Sequence, residues 1–188
     1  MLKDSHFYPL AALLIVAMIA LALSFGGGDD LDDAERLATG WTMEGPALRN
    51  MTVSPGSNQR YIDEDGGFIR LSTFTAMGEG PGSLGVFATL SSDYERVFAG
   101  RELRVTITAR AAAPDPLERF DAAYFTVEGP ATPWRGFELG DSFEDHSFTY
   151  TPPIIAAPPN ADLVAIFPGR TGEQREMDVS RIRIEVID

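Results

Sequence analysis

The sequence predicts an all-β domain of two antiparallel sheets behind a single apolar N-terminal segment, and three observations carry that prediction. Period-two alternation runs through Arg101–Ala111, with Leu103, Val105, Ile107 and Ala109 on one face and Arg104, Thr106, Thr108 and Arg110 on the other. It returns near the C-terminus, where Ile182, Ile184 and Val186 oppose Arg181, Arg183 and Glu185. Glycine and proline clusters such as Asp65-Gly66-Gly67, Pro114-Asp115-Pro116 and Pro168-Gly169 cut the chain into short runs, and no helical period is sustained after Trp41.

The first element is the run FYPLAALLIVAMIALALSF, Phe7 to Phe25, 19 residues without a charge. At helical rise it covers the ~30 Å hydrocarbon core of a bilayer, so residues 1–25 are expected to form a transmembrane anchor. Lys3 precedes it and Asp29, Asp30, Asp32 and Asp33 follow, which sets the N-terminus in the cytoplasm and the rest outside. A cleavable signal peptide is the alternative, since Ala20-Leu21-Ala22 fits a small-x-small cleavage site. Either way the domain is exported. The Arg, Ala and Gly bias suggests a bacterial chain, which gives an inner-membrane anchor and a domain on the periplasmic side.

Residues 26–38 read as a short linker. Gly26-Gly27-Gly28 is a flexible joint, Asp29 or Asp30 can cap a short helix through Leu37, and Gly40 ends it. Residues 39–188 form the β domain. Besides the two clear strands, runs at Phe68–Phe74, Leu84–Leu90, Asp121–Val127, Trp134–Leu139, Ser147–Thr151 and Leu163–Phe167 are expected as strands, which together make a sandwich.

Composition excludes several functions. The 188 residues carry a formal net charge of −13, the wrong sign for a nucleic-acid partner. There is no cysteine, so disulfides, thiolate metal sites and cysteine nucleophiles are absent. Gly140-Asp141-Ser142 beside Asp145-His146 superficially matches a serine-esterase motif, but all of these residues fall in one loop, whereas a triad needs its carboxylate on a separate element. No enzymatic activity is expected.

Four passages resemble the galactose-binding-like jelly rolls, the fold of many carbohydrate-binding modules. They are Gly40-Trp41, the run Val97–Val105 continuing to Ala109-Arg110-Ala111, the stretch from Trp134 through Tyr150, and Asp178–Ile184. Leu103 stands where an aromatic residue is common in that family. The resemblance implies a jelly-roll sandwich over residues 39–188 and a non-catalytic module for a glycan or envelope polysaccharide. It also implies a structural calcium between the first strand and a terminal carboxylate, with Glu44 and Asp178 as ligands.

Sugar recognition needs aromatic faces and planar polar forks. If Ala123, Phe125 and Val127 look inward, Tyr124 looks outward, as do Arg70 and Arg110 on their strands; with Trp134 these are the candidate ligand-binding residues. The competing reading is an ordinary solvated sheet face, with Trp134 and Trp41 used for packing. A second functional reading is a structural accessory subunit that docks another envelope protein through its sandwich and membrane helix.

Overall fold

The computed structural model describes residues 31–78, 84–126, 130–154, 161–172 and 174–187. The chain divides into two compact units, residues 1–32 and 33–188, and only the second is described to any extent. The expected span over residues 7–25, its glycine joint and the caps Asp29 and Asp30 lie outside the described residues. Among the described residues no helix is long and apolar enough to cross a membrane.

A short helix α1 (Asp33–Thr39) opens the β domain. Gly40, at φ 70°, closes it by donating its N–H to the Arg36 carbonyl at 2.9 Å, a cap geometry that favours glycine. A Cβ at Gly40 would lie 2.3 Å from the Ile184 carbonyl oxygen, so the same residue lets the chain pass close over the sheet.

Eleven strands follow among the described residues: β1 (Trp41–Glu44), β2 (Thr52–Val53), β3 (Ser57–Ile62), β4 (Phe68–Thr73), β5 (Val86–Thr89), β6 (Leu103–Ala111), β7 (Arg119–Phe125), β8 (Arg135–Glu138), β9 (Glu144–Tyr150), β10 (Leu163–Phe167) and β11 (Glu176–Val186). One sheet runs β3-β4-β11-β6-β9 with β1 also on β11, and the other runs β2-β5-β10-β7-β8. Every registered strand pair is antiparallel. The long β11 pairs with β4 over Glu176–Val179 and with β1 over Arg181–Ile184. The β6–β11 register shifts between Val179 and Arg181, which leaves Ser180 as a bulge where the strand changes partner.

The alternation read in β6 and β11 is the alternation observed. Leu103, Val105, Ile107, Ala109, Ile182 and Ile184 are fully buried between the sheets, with Phe120, Tyr124, Val164 and Ile166 from the five-stranded sheet. Trp41 joins this core, as its packing reading anticipated.

The expectation of no helix after Trp41 is corrected at two places. Gly45–Asn50 is a 3-10 turn that buries Leu48, and α2 (Ser92–Phe98) places Tyr94, Val97 and Phe98 in the core. Two turns of helix are too short to establish a period in an 11-residue window, yet burial of one face is enough to hold them.

Candidate functional site

The outer face of the six-stranded sheet holds two of the expected site residues, and their chemistry is internal. Asp178, near the start of β11, is flanked in register by Arg70 on β4 and Arg110 on β6. Arg70 donates from Nε to Oδ1 at 2.7 Å and from Nη2 to Oδ2 at 3.1 Å, while Arg110 donates from Nε to Oδ2 at 3.1 Å. The Asp178 side chain is 1% exposed. Arg110 also lies over the rings of Phe68 and Phe143, at 5.1 and 4.3 Å. Arg70 and Arg110 do face outward, but they are spent on a buried carboxylate.

The proposed calcium ligands are not brought together. Glu44 registers opposite Arg181, across the Ser180 bulge from Asp178, and both Asp178 oxygens already accept from guanidinium groups. Two fixed cations leave no place for a third. Among the described residues no cluster of three His, Asp or Glu could hold a metal ion.

Tyr124 does not look outward. It is fully buried, and its hydroxyl donates to Asp162 Oδ2 at 2.7 Å. The phase of β7 is shifted by one residue from the expected one: Phe120, Ala122 and Tyr124 enter the core, so Arg119, Asp121, Ala123 and Phe125 occupy the outer face. A one-residue change of phase moves every side chain of a strand to the opposite face.

That shift reveals a different surface. Across the five-stranded sheet, Phe87 on β5 registers with Ala165 on β10, and Ala165 with Ala123 on β7. Leu163 registers with Phe125, and Phe167 with Asp121. All of these positions lie opposite the core-facing residues. Ala123, Ala165 and Phe167 are buried yet stand outside the inter-sheet core cluster. Trp134, just before β8, packs edge-on against Phe125 at 5.5 Å and Phe167 at 6.1 Å. Phe87, Phe125 and Trp134 remain half-buried, which leaves aromatic surface above a floor of alanines. Of the four expected ligand-binding residues, Trp134 alone belongs to this surface.

The strand continues from this apolar end to a polar one. Asp121 is fully buried, and Arg170 grips it with Nε at 2.8 Å and Nη2 at 2.5 Å, which raises the arginine's pKa above its ordinary value. Arg119 reaches over Gly136, where an added Cβ would lie 2.3 Å from Arg119 Nη2 and 3.3 Å from Asp121 Oδ1. Beside them opens a depression of about 370 Å³, lined by Leu117, Glu118, Arg119, Gly169, Arg170 and Thr171. From Phe125 to Asp121 the rise along β7 is about 13 Å, the length of track over which rings and guanidinium groups share the outer face.

The Ser142/His146 pair does not form a nucleophile. Ser142 Oγ meets Glu144 at 3.5 Å, whereas His146 points between the sheets, with ring centroids 5.3 Å from Phe120 and 5.6 Å from Phe137. Burial lowers its pKa.

No family model and no curated protein matches this chain. Solved structures do. The CBM22-2 xylan-binding domain of Paenibacillus barcinonensis Xyn10C is similar with a TM-score of 0.55 at 8% identity, over 78% of this chain and 99% of that one. The C-terminal family 22 carbohydrate-binding module of Clostridium thermocellum Xyn10B gives 0.53 at 10%, over 79% and 92%. The unliganded CBM1 module of BiXyn10A gives 0.50 at 9%, over 79% and 99%. At these identities the likeness establishes the fold: an antiparallel two-sheet jelly roll.

Proposed function

We propose that this chain is a non-catalytic saccharide-binding module, anchored by residues 7–25 and displayed outside the cytoplasm, whose ligand lies across the outer face of the five-stranded sheet. One observation carries the reading. Phe87, Phe125 and Trp134 expose ring surface on the same face on which Arg119 and Arg170 present guanidinium donors. Sugars offer an apolar C–H face to stack on rings and a hydroxyl edge for planar donors to read, so this pairing suits them. The jelly-roll neighbours, which include a domain described as xylan-binding, support the same reading.

In this scheme Trp134, packed over the buried alanines and against Phe125 and Phe167, supplies the stacking face. Arg170, held rigid by Asp121, supplies a preorganised donor. The test is an oligosaccharide array followed by titration calorimetry with the full-length chain. Saturable binding that falls at least about tenfold in Trp134→Ala supports the module; no binding to any saccharide, or binding indifferent to Trp134, refutes this site.

A further inference from the structure

Resting on that reading, we propose that the saccharide taken by this face carries a carboxylate, which is seated between Arg119 and Arg170 at the Gly136 end of the track. The grounds are the donor and acceptor balance of that pole. Arg170 places two of its nitrogens on Asp121 and is 53% exposed, so the rest of its guanidinium faces the solvent side of the sheet. Arg119 is equally exposed, and it makes a long contact of 3.7 Å to Glu138, itself 79% exposed. Glu118 is engaged by Arg175 at 2.9 Å.

Asp121 is the one buried carboxylate here, and its two oxygens are taken. Asp121 uses only the Nε and Nη2 edge of Arg170, and Glu138 meets Arg119 only at 3.7 Å from an exposed position, so both guanidinium groups keep donors directed outward. Guanidinium donates and never accepts. A sugar hydroxyl placed there brings a proton that cannot reach the fully buried Asp121, whereas a carboxylate carries none and accepts from both forks. A carboxylate adds to the guanidinium a second ionised partner and a bidentate fork geometry that a hydroxyl lacks.

Gly136 fits the same purpose. Its missing side chain is what allows the Arg119 guanidinium to lie over the sheet beside Asp121. The net charge of −13 limits the ligand in a complementary way, because a densely charged polymer is repelled by the remaining surface. A sugar chain that brings a single carboxylate to this pole is the form the charges favour.

Acidic oligosaccharides, each paired with its carboxyl-reduced counterpart, separate this inference from the reading beneath it. Xylo-oligosaccharides bearing a single glucuronate and neutral oligosaccharides ended by a single galacturonate are titrated into the full-length chain, with a singly sulfated oligosaccharide as a further arm. The expected result is at least about tenfold tighter binding of the acidic member of a pair, with the preference lost in Arg119→Gln. Arg119→Gln is preferred to Arg170→Gln because the latter strips a buried carboxylate and endangers folding. Equal affinity within every pair overturns the carboxylate inference and leaves the saccharide site standing, as does a preference for sulfate alone. Binding to neither member of any pair overturns both.

Discussion

The Tyr124 hydroxyl donates to Asp162 Oδ2 at 2.7 Å inside the sandwich, with both residues buried. Burial pushes the Asp162 carboxyl up to about 6, against the lowering effect of the tyrosine bond, and Glu95 adds to the rise. Burial likewise drives the Tyr124 phenol far above its ordinary value, so it stays a neutral donor. Because folding raises the carboxyl above its ordinary 3.8, this group's stabilising effect is complete below about pH 4 and is lost as pH rises through about 6. Tyr124→Phe removes the bond that lowers the carboxyl and strands a buried charge. Calorimetric melting should show a loss of about 1–3 kcal/mol above pH 6 that narrows towards pH 4.

His146 pulls in the other direction over much of the same range. Its pKa lies below the ordinary 6.5 because of burial, despite the raising effects of Glu144, the Ala109 carbonyl and Asp145. An imidazole kept neutral in the fold contributes full stability above pH 6.5, and that contribution is lost as pH falls towards its lowered value. His146→Phe should therefore flatten the decline below pH 6.5. Urea midpoints at pH 5 and pH 7.5 measure it; an unchanged slope between the two would remove His146 from the acid response.

Asp178 is predicted to act as a structural anion in place of a metal ligand. Asp178→Asn leaves Arg70 and Arg110, 16% and 26% exposed, facing a neutral amide, and should cost about 3 kcal/mol or more. Millimolar calcium should not raise the melting temperature of the unaltered protein, and chelation should not lower it. A calcium-dependent rise would restore the cation site.

Gly136→Ala offers a separation of binding from stability. The added Cβ meets the far end of Arg119, a flexible side chain that can swing away, so unfolding free energy should move by no more than about 0.5 kcal/mol. Saccharide affinity should fall to the level of Arg119→Gln. A large loss of stability with unchanged binding would place Arg119 outside the site.

Much of the sandwich was legible because β6 and β11 bury one face and solvate the other, which is the condition under which alternation identifies a face. β3 escaped notice because SNQRYI lies at a sheet edge, where no continuous apolar face is demanded. α2 escaped because Tyr94, Val97 and Phe98 make up the whole of its buried stripe. The facing of β7 was missed for a subtler reason. In RFDAAYF both phases are apolar, Phe120/Ala122/Tyr124 and Ala123/Phe125, so periodicity cannot choose between them. A strand apolar on both faces in an antiparallel sheet was itself the clue, since its second face must meet something other than water. Trp134 was recognisable as an aromatic of interest, but its partners Phe125 and Phe167 and the Arg170–Asp121 clamp depend on pairings that only the fold supplies.

The two outer faces are chemically unlike: one is closed by interlocked arginines and carboxylates, the other lined with rings. Under the proposed saccharide reading, a domain with one ring-lined face would hold a polymer at one stretch at a time. Lasting attachment would then depend on how many copies share the same strand. Retention would be a property of the population, graded by the density of copies.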